Sequence, residues 1–197
     1  MICILKADCS AFMKTLRLTS SLLIAVSAAS TCAAQSFADL DPGLRSALLR
    51  DAACVTKANS SDELQVSKSA VGLTSFRGDH QAGVVVVPRG ACPCEGGNCA
   101  TFVYLKLGND YRLAFARSLA SLRPMRRGFH HGLPDLSGKI RVSDSQSETV
   151  VYEWGGSGYR PTLCATVTQR QAQKRPSILK HGCENLSTDG QISSKSN

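Results

Sequence analysis

A mainly β protein of the α+β class is what this sequence predicts: an antiparallel sheet assembly of about six to eight strands, one N-terminal helix, and disulfides as staples. Three observations carry the prediction. Apolar runs of strand length recur from Gly83 to Thr168, separated by Gly, Asn and Asp at turn spacing. Only the stretch from Asp39 to Val55 repeats apolar residues at helical spacing. Six cysteines, an even number, lie in the body of the chain.

The N-terminal part is read as an export signal. Lys14 and Arg17 form a positive start after Met13, Leu18 to Ala29 form a short apolar run, and Thr31-Cys32-Ala33-Ala34 supplies the small residues a signal peptidase needs. This places a signal peptide at 13–34, with residues 1–12 as an upstream extension. The apolar run is shorter than the roughly 20 residues that span a bilayer, so no transmembrane anchor is expected after cleavage. Of the nine cysteines, Cys3, Cys9 and Cys32 go with the leader. In an oxidising compartment, periplasmic or secreted, the remaining six suggest up to three disulfides. Spacing alone allows several connectivities; the preferred pairs are Cys94 with Cys99 across a turn, Cys164 with Cys183, and Cys54 with Cys92 as the remainder.

The formal charge is +8, and Lys6, Lys14 and Arg17 against Asp8 put +2 of it in the leader, leaving +6 from Gln35 on. A basic exported protein suits an acidic protein or an anionic envelope component, and its address argues against nucleic acid; the same charge also serves solubility.

Asp41 before Pro42 is a helix cap followed by a residue favoured in the first turn, and Leu44, Ala47, Leu48, Ala52 and Val55 form one apolar face. Leu64 to Phe76 alternates loosely and reads as one or two short strands. Arg77-Gly78-Asp79-His80 is a turn, whose Arg-Gly-Asp triplet is three common turn residues. Gly83 to Val87 is the most strand-like run. Cys94 and Cys99 flank the Gly96-Gly97-Asn98 turn, and the strands from Thr101 to Leu107 and Tyr111 to Arg117 are joined by Gly108-Asn109-Asp110. Leu122 to Asp135 reads as a long irregular loop rich in Arg123, Arg126, Arg127, His130 and His131. Strands follow at Lys139 to Val142, Thr149 to Trp154 and Tyr159 to Thr168, with the Gly155-Gly156-Ser157-Gly158 turn between the last two. The single β-rich domain covers 35–184, and 185–197 is a disordered tail.

The chemistry on offer is sparse. Cys92, Cys94 and Cys99 offer three thiolates to zinc or copper(I), with His80, His130 or His131 as a fourth ligand, if they are not oxidised. For hydrolysis, His130 or His131 combines with Asp135 and Ser137, or Glu148 with Glu153, but no nucleophile elbow or HExxH motif accompanies them. No phosphate loop is present, and no cofactor is expected. Loops carry function more often than cores. The candidate contact surface is therefore the basic segment with Arg123, Arg126, Arg127, His130 and His131, together with the aromatic turn of Trp154, Ser157 and Tyr159.

Between Gly83 and Cys164 the chain resembles a group of small, exported, uncharacterised bacterial proteins that share a Cys- and Gly-rich hairpin, here CEGGNCATFVYL, and a Trp-Gly-Tyr element, here WGGSGYRPTLC. That resemblance implies no established activity. A second similarity is to periplasmic lysozyme inhibitors, small disulfide-bearing β proteins with a Ser-Gly-x-x-Tyr loop; here Ser157-Gly158-Tyr159 lacks the two intervening residues. Together these point to a non-enzymatic binding or inhibitor-type module. A periplasmic metal-binding protein built on the cysteine hairpin, or a hydrolase, are the alternatives.

Overall fold

The longest apolar runs become strands that are covered on both faces. The structure, a computed structural model, describes residues 34–55, 70–169 and 175–186. The predicted extension, all of the predicted signal except Ala34, and residues 187–197 of the expected tail lie outside the described residues.

The chain opens with β1 (Ala34–Ser36) and a 3-10 turn, then α1 (Pro42–Asp51). Asp41 caps α1, its carboxylate accepting from the amides of Gly43 at 3.0 Å and Leu44 at 3.4 Å. The helix stops at Ala52 and a short helical turn carries the chain to Val55, so the predicted helix is shorter and interrupted. The expected apolar face is nevertheless the buried one: Leu44, Ala47, Leu48, Ala52 and Val55 are all at most 3% exposed.

Then follow β2 (Ala70–Arg77), β3 (Ala82–Pro88), the two-residue β4 (Cys94–Glu95), β5 (Asn98–Leu107) and β6 (Asp110–Leu119). They form the first sheet, in the order β1-β2-β3-β5-β6, with β4 paired to the start of β5. The second sheet is a plain meander of β7 (Ser121–His130), β8 (Leu133–Arg141), β9 (Gln146–Trp154), β10 (Tyr159–Thr168) and β11 (Ser177–His181). All strand pairings are antiparallel. Ala120 alone joins the sheets, and its amide donates to the Lys139 carbonyl at 2.8 Å, so it already belongs to the second ladder.

Alternation sorts the side chains into two cores. Val84, Val86, Phe102 and Tyr104 pack with Leu44, Ala47 and Leu48 of α1. Their neighbours Val85, Val103 and Leu105 point the other way and pack with Leu133, Leu136, Val150, Tyr152 and Trp154 of the second sheet. The layers are thus helix, sheet, sheet. Burial on both sides explains why Val84 to Val87 and Thr101 to Leu105 read as unbroken runs.

Three disulfides join Cys54 to Cys92, Cys94 to Cys99 and Cys164 to Cys183, the pairs preferred on spacing. Three such bonds suit an oxidising extracellular or periplasmic environment. Among the described residues no helix is long and apolar enough to cross a membrane.

Two expectations need correction. Eleven strands are described rather than six to eight, because β1 and β4 are only three and two residues long, β11 lies exposed in the polar C-terminal stretch, and β7 falls in the segment expected as a loop. The expected irregular loop at Leu122 to Asp135 is most of a hairpin: β7 runs through its basic residues and β8 begins at Leu133. In addition, Leu186 is held within the fold beyond the expected boundary at 184, packing on the inter-sheet core while its carbonyl accepts from Arg117 at 2.7 Å.

Candidate functional site

The hairpin of β7 and β8 gathers most of the polar residues that the sequence singled out. Its turn is His131-Gly132, both at positive φ (50° and 79°), between the paired His130 and Leu133. Such a two-residue connection normally uses Asn-Gly. Further along, the ladder breaks. Pro124 pairs with Leu136 and Phe129 with Pro134, so the four residues Met125 to Gly128 oppose Asp135 alone. This bulge folds over Asp135, and Gly128, at φ 97°, passes so close that a Cβ there would run into Asp135 Oδ2.

Asp135 is thereby 4% exposed, a rare state for a carboxylate without partners. Its partner is His130: Nδ1 lies 2.7 Å from Asp135 Oδ1. The other ring nitrogen, Nε2, faces Glu153 Oε2 at 3.7 Å. The hydrogen bond to Asp135, reinforced by the charges of Asp135 and Glu153, raises the His130 pKa above its ordinary value. Each of β7, β8 and β9 thus contributes one member of an Asp135-His130-Glu153 cluster, buried at the aspartate and open at the other two.

Around the cluster, Arg123, Arg126, Arg127 and His131 are exposed, as is Phe129 at 52%. They lie along β7 and its turn, and β7 is the terminal strand of its sheet. The first sheet supports the hairpin tip: the Asp79 amide donates to the Gly132 carbonyl at 2.8 Å, and Gly78 is buried against Gly132 and Leu133. The Arg-Gly-Asp triplet is therefore a docked turn.

The aromatic turn is not part of this surface. Trp154 and Tyr159 are 5% and 8% exposed, their rings 5.2 Å apart in the inter-sheet core, because the alternation of β9 aims Trp154 inward with Val150 and Tyr152. Tyr159 donates to the Pro134 carbonyl at 3.0 Å, and burial raises its phenol pKa. Arg112 sits over the Trp154 ring at 5.8 Å. Only Ser157 of that trio is exposed.

The other combinations also change. Cys92, Cys94 and Cys99 are all in disulfides, which removes the thiolates a metal would need. Glu148 and Glu153 are five residues apart on β9 and so lie on opposite faces. Glu148 pairs instead with His181 at 3.4 Å. His130 does meet Asp135, but its other ring nitrogen faces Glu153 and not Ser137. The sequence pairs His130 with Asp135 but sets Glu153 in a separate pair with Glu148; the signal that joins all three is the hairpin turn at His131-Gly132 and the pairing of β8 with β9. Two open grooves, one beside Lys139 and Arg141 (about 370 Å³) and one beside Phe76 and Lys106 (about 440 Å³), are lined by other residues.

The fold and site define a disulfide-stapled helix-sheet-sheet protein with a basic, bulged edge strand. Searches against protein-family models, curated proteins and solved structures find no significant match.

Proposed function

We propose that the protein is an exported, non-enzymatic binding module whose edge strand β7 recognises an acidic protein partner in the periplasm or outside the cell. The observation that carries this reading is the composition of β7: Arg123, Arg126, Arg127 and Phe129 all stand exposed on the terminal strand of a sheet. Arginine and aromatic residues supply much of the energy at protein interfaces, and arginine matches carboxylates with two parallel hydrogen bonds. An exposed strand edge also offers unpaired backbone groups, and cationic side chains on it discourage pairing with another copy of this basic chain. The docked hairpin tip holds the end of the strand in place before binding, which lowers the ordering cost of association.

The test is capture from an envelope extract by the immobilised oxidised chain, comparing wild type with the double variant Arg126→Ala/Arg127→Ala. The expected partner is acidic, its recovery falls as salt rises, and the double variant loses at least about tenfold in affinity, the equivalent of roughly 1.4 kcal/mol. Equal affinity of wild type and variant at the same salt removes β7 from the reading.

A further inference from the structure

We propose that His130 and Glu153 form a zinc site, with Asp135 as the positioning residue behind it. The proposal is independent of the partner reading, because its ligand atoms belong to His130 beside the hairpin turn and to Glu153 on β9, not to the exposed arginines.

The geometry runs outward from the buried carboxylate. Asp135 Oδ1 accepts from His130 Nδ1 at 2.7 Å, which fixes the proton of the neutral ring on Nδ1 and leaves the lone pair on Nε2. Metal-bound histidines are commonly held in this way, with a carboxylate on the far nitrogen fixing both tautomer and ring orientation. On the near side, Nε2 and Glu153 Oε2 are 3.7 Å apart. That is too long for a good hydrogen bond. It is close to the separation of about 3.3 Å that two ligands adopt when each lies about 2.0–2.1 Å from a tetrahedral zinc ion. The exposure gradient agrees: the Asp135 side chain is 6% exposed, whereas those of His130 and Glu153 are 45% and 38% exposed. The positioning group is rigid and the two ligand atoms open to solvent, so water or a donor from another molecule completes the shell. Imidazole suits zinc as it does copper, nickel and iron, so zinc stands here for a borderline divalent ion, and the groups come from three adjacent strands, which hold geometry better than loops.

The experiment is calorimetric titration of Zn²⁺ into the untagged, oxidised chain, with the long-range ¹H–¹⁵N spectrum of the histidine rings followed in parallel. The metal-free spectrum is expected to show His130 protonated on Nδ1 in its neutral form, and zinc to shift Nε2. Uptake should be one ion per chain, abolished in His130→Ala and at least tenfold weaker in Glu153→Gln. In Asp135→Asn affinity falls ten- to a hundredfold. His181→Ala, which removes the separate His181–Glu148 pair, leaves uptake unchanged. His130 and Glu153 are partly exposed, so their variants keep the fold, and the near-ultraviolet signal of the sole tryptophan checks this. No saturable uptake, uptake unaltered by His130→Ala, or uptake lost in His181→Ala would each overturn the proposal.

Discussion

Tyr152 is the clearest single residue on which the packing can be tested. Its ring is fully buried between the sheets, edge-on to Phe115 at 4.8 Å, yet among the described residues its hydroxyl finds no hydrogen-bond partner. Removing an unpaired buried hydroxyl relieves its desolvation cost, so Tyr152→Phe is expected to stabilise the fold by about 1 kcal/mol, read as an upward shift of the urea midpoint. Gly128 tests the opposite sense. Because a Cβ would meet Asp135 and the backbone lies at positive φ, Gly128→Ala should cost about 2 kcal/mol and pull His130 away from Asp135, visible in the His130 ring signals. The tyrosines also set the alkaline limit. Burial pushes Tyr152 up to about 12 and raises Tyr104 and Tyr159 as well. The unfolded chain releases these protons near pH 10 while the folded one retains them. Stability therefore falls once pH passes about 10, by about 1.4 kcal/mol per pH unit for each such group, until the folded phenol itself ionises. Absorbance at alkaline pH should show these three phenols ionising well above pH 10 or together with loss of structure; their ionisation near pH 10 in the intact fold would contradict their burial.

At the scale of elements, α1 depends on its cap and on one face. Asp41→Ala should lower stability by about 1 kcal/mol, measured by denaturant unfolding, since the Gly43 and Leu44 amides then lose their acceptor. What was legible in the sequence follows the same division. The α1 face, the runs in β3 and β5, and the hairpin of β5 and β6 could be read because burial on one or both faces leaves a periodic or continuous apolar trace. β7 and β8 could not. β7 is an edge strand with most side chains in solvent and Pro124 within it, and its bulge breaks the period of two where the pattern would be sought. β8 begins with Leu133, Pro134, Asp135 and Leu136 all buried, an order without alternation because the bulge covers Asp135 from above. The site inherited that difficulty. His130 with Asp135 was within reach of sequence reasoning, but Glu153 joins them from β9 through sheet pairing that only three dimensions supply.

On the scale of the whole molecule, the covalent staples differ in what they constrain. Cys54–Cys92 spans 38 residues and fastens the end of the helical segment to the connection after β3, whereas Cys94–Cys99 spans five within one turn. Chain entropy predicts about 4 kcal/mol for the first and about 2 kcal/mol for the second. Cys54→Ala/Cys92→Ala should accordingly lower the guanidinium midpoint more than Cys94→Ala/Cys99→Ala, and the reverse order would show that the helix layer adds little to the fold.

In strand order Ala120 divides the chain, since all of one sheet precedes it and all of the other follows. The shared core forbids it. Cut there, the second half would carry Leu133, Leu136, Val150, Tyr152 and Trp154 uncovered, and the first would lose the cover over Val85, Val103 and Leu105. Each half would expose this apolar surface to water, so proteolysis at Ala120 is expected to leave no lasting half-molecule. The described residues are thus bound together most closely at the point where the order of strands looks easiest to split.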